Sequence, residues 1–302
     1  MRQHPISRFT LTFLLLVFFV FPGVVKALDL TLEPRFQAGV IDYEFEVKPM
    51  SGINQFGDRF ADSGFKLASV MPFVSGGATL FADRLFFDFY LQKVFSGSDG
   101  STYNFADETD FSSTTLIDSE FDREEYSVSV GYALGSQAAL FVGYRTSKTH
   151  FTDTFTTDSS DGPGFDSEKE LGKRNVDFKQ DGYFFGGAYA FGISEHSVVT
   201  LNTALAVLDG KYDTRGSIVD EEDALEDDFP DSSEIGFFSD GDTVGLNLGV
   251  TWKGQIDNNF SYTLGLSGYS YDFDADIKAS ENPAPDLAES VLRYSAGLSY
   301  RF

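Results

Sequence analysis

After residue 30, apolar and polar side chains alternate with a period of two along most of the chain. That spacing sends successive side chains to opposite faces of a β-strand. Between Tyr126 and Leu134, one face carries Tyr126, Val128, Val130, Tyr132 and Leu134, and the other carries Ser127, Ser129, Gly131 and Ala133. From Thr243 to Trp252 the pattern repeats: Val244, Leu246, Leu248, Val250 and Trp252 oppose Thr243, Gly245, Asn247, Gly249 and Thr251. Ten such segments are predicted, at about 30–45, 65–80, 85–95, 126–134, 139–152, 183–191, 198–208, 243–252, 260–271 and 290–302. Four of the connections are short, at Ala82-Asp83, Gly135-Ser136-Gln137, Ile193-Ser194-Glu195 and Asp257-Asn258-Asn259. The other five are long and acidic, the second covering 96–123 and the third ending near Gln180. Pro72 and Gly76-Gly77 interrupt the second segment as a bulge would, so eight or twelve strands remain alternatives to ten.

The minor face is small and neutral far more often than charged. A soluble sandwich would instead turn Lys and Glu outward opposite its apolar face. The large residues therefore face something other than water, and the aromatic ones among them gather at strand ends. Tyr132, Phe191, Trp252, Phe260 and Tyr262 lie at one level beside the short turns, as in an aromatic girdle at a lipid–water boundary. The last segment, SVLRYSAGLSYRF, alternates in the same way and ends on an aromatic carboxylate residue. Its Ser295, Gly297, Tyr300 and Phe302 resemble the C-terminal assembly signal of Gram-negative outer-membrane barrels. That resemblance implies an all-β, antiparallel up-and-down transmembrane barrel with short periplasmic turns and long acidic extracellular loops. It also implies residence in the bacterial outer membrane, contact with its lipid and lipopolysaccharide, and handling by periplasmic chaperones and the barrel assembly machinery.

The N-terminus agrees with export. Arg2 and Arg8 precede an apolar run from Phe9 to Phe21, and Pro22-Gly23 ends it ahead of Val25-Lys26-Ala27. This is the pattern of a secretory signal peptide over 1–27, cleaved to leave a barrel at 28–302. The apolar run is shorter than the roughly 20 residues of a spanning helix. Cysteine is absent, which removes thiol chemistry and disulfides. The 22 Lys and Arg include three in the leader, so 19 oppose 47 acids in residues 28–302, a formal charge of −28. Nucleic acid is thereby excluded as a partner.

Candidate chemistry is sparse. By parity, Glu33, Arg35, Asp88, Arg145, Arg293 and Arg301 face the barrel lumen, and Glu33 and Arg293 are expected to meet across neighbouring first and last strands. Such charges either fill a narrow barrel as ion pairs or set the ion preference of a pore. Three histidines are present. His4 is in the leader and His196 is at a turn, while His150 stands near Lys148 and Asp153. Omptin proteases, which are ten-stranded outer-membrane barrels, set an Asp pair against a His–Asp pair across the mouth. Asp240 and Asp242 form a spaced pair, but no matching His–Asp motif stands opposite. No cofactor is expected, and the acidic insertions are places where divalent cations could bridge carboxylates. Lys148, Lys173, Arg174 and Lys179 are candidate contacts for lipopolysaccharide phosphates. A small porin-like or structural barrel without catalysis is the leading expectation. An adhesin or ligand-binding barrel acting through its acidic aromatic loops comes next, and a membrane-embedded hydrolase last.

Overall fold

Every segment with the two-residue alternation pairs antiparallel with its neighbour, and the last pairs with the first. The computed structural model describes residues 30–49, 51–53, 59–107, 111–160, 168–220, 233–275 and 286–302. The signal peptide expected at 1–27 lies outside the described residues. The strands are β1 (Leu30–Val47), β2 (Ser51–Ile53), β3 (Arg59–Asp62), β4 (Phe65–Ala82), β5 (Leu85–Asp107) and β6 (Ser112–Ala133), followed by β7 (Ala138–Ser160), β8 (Glu168–Ser194), β9 (Ser197–Asp220), β10 (Ser233–Gln255), β11 (Phe260–Ala275) and β12 (Leu287–Tyr300). Ten long strands close a barrel, because β1 pairs with both β4 and β12 and β5 pairs with β6. The short β2–β3 hairpin adds to the upper part of β5. Closure removes the exposed strand edges of an open sheet.

The strands run far past their sequence-predicted ends, and their polarity inverts along the way. On β1 the outward residues pass from Leu32, Phe36 and Val40 to Asp42, Glu44 and Glu46, while the inward ones pass from Glu33, Arg35 and Gln37 to Ile41, Tyr43, Phe45 and Val47. On β6, Tyr132, Val130, Val128 and Tyr126 point outward below Glu124, Asp122, Glu120 and Asp118. On β8 the outward Phe191, Phe185 and Tyr183 give way to Asp181, Asp177 and Lys173. The half nearer the short turns thus has an apolar wall and a polar bore, which suits strands crossing lipid. The far half has a charged wall and an apolar bore, which suits a barrel in water. From Tyr183 to Ile193 the apolar wall of β8 covers about 25 Å, taking ~3.3 Å per residue and a tilt of ~40°.

This inversion corrects the reading of the second insertion as a loop. Residues 97–106 of β5 and 112–121 of β6 form a continuous ladder, displaced by one residue at a bulge between Val94 and Gly97. The charges that read as loop are the outward faces of strands that have left the lipid. Gly97 needs to be small there, since a Cβ would lie 2.5 Å from the Met71 sulfur.

At the opposite end the turns are tight. In the β10–β11 turn, Asp257 Oδ1 accepts the backbone N–H of Asn259 at 2.8 Å and of Phe260 at 2.7 Å. These two donors hold the Asp257 carboxyl below the usual carboxylate range.

Candidate functional site: the interior of the barrel

The bore is built in layers from the short-turn end. At its mouth Glu33 accepts hydrogen bonds from Lys253 and from Arg301, the latter at 3.3 Å. One layer in, Arg35 forms a bidentate pair with Asp88 at 2.7 and 2.8 Å, and Thr79 bonds both partners. Arg293 comes next, donating to Ser267 Oγ at 3.0 Å, to Gln92 Oε1 at 3.2 Å and to the Tyr90 hydroxyl. Above it Arg145 pairs with Glu125 at 2.9 Å and donates to the Tyr271 hydroxyl. Arg123 pairs with Glu289 and donates to Thr149 Oγ1 at 2.7 Å. The Tyr269 ring lies between these two guanidinium groups, its centroid 4.4 Å from Arg145 and 5.7 Å from Arg123. Such contacts add to what the ion pairs contribute. Between these layers lies a chamber of about 400 Å³ whose walls include Arg35, Tyr90, Arg145, Asn247, Tyr269 and Arg293.

Above the arginine layers the bore is solid. Phe45, Phe121, Phe151, Phe178, Phe273 and Met71 are buried in one cluster with Tyr43, Leu287 and Val291. Ring centroids there are 4.9 Å apart for Phe45 and Phe151, 5.5 Å for Phe121 and Phe151, and 5.7 Å for Phe178 and Phe273. Still higher, Asp153 faces inward and accepts from Ser119 Oγ and Arg174 Nε, each at 2.6 Å.

The outer wall of this far half is acidic. Asp118, Glu120 and Glu124 on β6, Asp42 on β1, and Asp240 and Asp242 on β10 all point away from the bore. Cations answer some of the acids: Lys66 pairs with Glu44 at 2.7 Å, Lys93 with Asp122 at 2.6 Å and Lys48 with Asp272 at 3.1 Å. His150 Nδ1 stands 2.7 Å from Asp177 Oδ1, and Lys148 Nζ is 2.9 Å from the same oxygen. Burial acts to raise the Asp177 carboxyl, but the Lys148 and His150 hydrogen bonds outweigh it and hold it below the usual carboxylate range. Among the described residues, no group of three or more His, Asp or Glu side chains could hold a metal ion.

Glu33, Arg35, Asp88, Arg145 and Arg293 face the interior, and Arg301 reaches Glu33 from the exposed rim beyond β12. The expected meeting of Glu33 with Arg293 does not occur. The β1–β12 register sets Arg35 opposite Ser299 and Ile41 opposite Arg293, which carries Glu33 toward Arg301 instead. Arg174, grouped in sequence with Lys148, Lys173 and Lys179 as a surface base, points inward to Asp153. Ser295 and Gly297 face the bore, whereas Tyr300 stacks edge-on with Phe260 at 4.8 Å and with Phe302 at 4.6 Å. Tyr132, Phe191, Trp252 and Phe260 are exposed on the outer wall, and Tyr262 meets Trp252 edge-on at 5.6 Å. Sequence reading missed Arg123, Glu125, Lys253 and Glu289. Each shares the parity of a recognised inward residue two to four positions along, namely Ser127, Thr251 or Val291. Extending that alternation past the predicted strand ends would have found them.

No protein-family model matches the chain, and no curated protein matches it. Among solved structures, the outer membrane protease OmpT from Escherichia coli superposes with a TM-score of 0.62 at 11% identity, covering 93% of this chain and 99% of that one. The toluene transporter TodX of Pseudomonas putida aligns at a TM-score of 0.36 and 11% identity, over 91% of this chain and 90% of its own. Ail of Yersinia pestis, an attachment invasion locus protein, aligns at 0.29 and 11% identity, over 90% of this chain and 99% of its own. At these identities the likeness concerns the fold, and only the first superposition is close enough to carry it. The apolar wall, the polar lower bore and that superposition agree: this chain is a closed ten-stranded barrel with the fold of bacterial outer-membrane proteins.

Proposed function

We propose that the protein is a non-catalytic surface-recognition barrel whose working face is the acidic outer wall of its extracellular half. One observation carries this reading: β6, β8, β9 and β10 continue as ordered strands beyond the apolar belt, around a buried aromatic core, and present carboxylates outward, among them Asp118, Asp177, Asp213 and Asp240. A rigid acidic wall suits a basic partner, because the side chains are already positioned and the ordering cost of a floppy loop is avoided. Divalent cations bridging these carboxylates to lipopolysaccharide phosphates belong to the same reading, as do direct contacts from Lys148, Lys173 and Lys179. Oligolysine should bind the purified, micelle-embedded protein with an affinity that falls steeply as salt rises. The triple change Asp118→Asn, Glu120→Gln and Glu124→Gln should weaken it by about tenfold or more, at roughly 0.5 kcal/mol per exposed pair. Undiminished binding in that variant would remove the outer wall of β6 from the interaction.

Passive passage of small solutes is the second reading, and the polar chamber in the membrane half favours it. Passage would require the aromatic core above that chamber to open. Proteolysis, named for the Escherichia coli protein with the same fold, finds less support. A His–Asp pair at the extracellular end would have to use His150, since His4 falls in the stretch expected to be a leader and His196 is at a short turn. His150 and its partner Asp177 are on the outer wall, facing away from the bore.

A further inference from the structure

The chain carries a formal charge of −25, yet the lower bore has an excess of cations. Its inward charges and the rim contact are Arg35, Arg123, Arg145, Lys253, Arg293 and Arg301 against Glu33, Asp88, Glu125 and Glu289. Six cations thus face four carboxylates, an excess of two positive charges. Three of the arginines have a carboxylate each. Arg293 does not: its partners among the described residues are the neutral oxygens of Ser267, Tyr90 and Gln92. The other uncompensated charge is at the mouth, where Lys253 and Arg301 share Glu33.

An unpaired guanidinium surrounded by a lipid-embedded wall is costly unless water or a counter-ion reaches it. Here the space for one is present. Arg293 borders the chamber of about 400 Å³ together with Arg35 and Arg145. Two further donors beside that chamber are buried without a partner, the Arg145 Nε and the Tyr269 hydroxyl. A cleft of one sign with low-dielectric walls concentrates ions of the other sign. The aromatic core closes the extracellular approach, so the way in is past Lys253 and Arg301 from the short-turn mouth.

From this geometry we propose that the lower bore is a binding chamber for a small oxyanion, a carboxylate or phosphate species taken from the periplasmic side and held against Arg293. Arg293 supplies the uncompensated charge, and Arg145 Nε and the Tyr269 hydroxyl supply free donors. This inference is independent of the outer-wall reading, because the two surfaces are separated by the barrel wall and the aromatic core.

Isothermal titration of the full mature protein in detergent micelles tests it, with inorganic phosphate and acetate as probes and acetamide as the neutral control. The expected result is one saturable site for an anion, weakening as salt rises, with no response to acetamide. Arg293→Gln should lose at least tenfold in affinity, whereas Asp118→Asn on the outer wall should change nothing. If Arg293→Gln does not fold, Asn247→Asp, which adds a carboxylate to the chamber wall, should abolish the same binding. Absence of a saturable site for either anion in folded protein would overturn the proposal. So would affinity unchanged by both chamber variants, or acetamide binding as well as acetate.

Discussion

The residues that decide the character of the bore are Arg123 and Glu289, whose side chains are each only 1% exposed. A charge so placed is tolerable only because its partner is beside it. Arg123 also donates to Thr149 and lies near the Tyr43 and Tyr269 rings, so it joins the arginine layer to the aromatic core. Arg123→Met should therefore cost about 3–5 kcal/mol, because Glu289 is left buried and unpaired. Adding Glu289→Met should recover most of that loss, since a buried pair exchanged for apolar groups of similar volume is close to neutral. Urea unfolding of the two variants in micelles checks the difference. Equal destabilisation in both would mean that packing, and not charge, governs the site.

Each long strand works in two solvents, and its two halves obey opposite rules. Below, lipid sets the outward side chains, and ion pairs and hydrogen bonds accommodate the inward ones. Above, water receives the outward carboxylates of β1, β6 and β10, and exclusion of water from Phe45, Phe151 and Phe178 stabilises the core. The β5–β6 ladder from Ser101 opposite Ile117 to Ala106 opposite Ser112 belongs entirely to the upper regime. Its amides should exchange slowly in deuterated buffer, at rates resembling the membrane half and far slower than those of an unstructured acidic insertion. Exchange within seconds across 101–106 and 112–117 would restore the loop reading of this stretch.

For the molecule as a whole, the stack of rim ion cluster, polar chamber, arginine layer and aromatic core leaves no continuous aqueous route among the described residues. A ten-stranded barrel has little room to spare, since bore width grows with strand number. Purified protein, shown to be folded, should leave a planar bilayer silent under applied voltage. Reproducible ohmic steps that shift in ion preference on Arg145 or Arg293 substitution would instead establish passive passage and demote the outer wall.

Much of this architecture was legible in the order of residues. The alternation of Tyr126 to Leu134 and Thr243 to Trp252 identifies strands, because side-chain direction in a strand depends only on parity. The short Gly, Asn and Asp turns then separate them, and a large apolar face opposite a small neutral one points to a barrel in lipid. The inward placement of Arg35, Asp88, Arg145 and Arg293 follows from the same local rule. Which charges meet was not legible, since contacts across a bore depend on register and strand tilt summed around ten strands. Arg293, the expected partner of Glu33, lies eight positions from Arg301, the observed one, along the closing segment. The ends of the strands were hidden for another reason: parity persists, but the solvent outside changes from lipid to water, so apolar and charged positions exchange faces. Sequence alone determined that the chain makes a membrane barrel. Tertiary structure decided where the membrane stops, because only the pairing around the closed barrel shows how far each strand continues past its apolar wall.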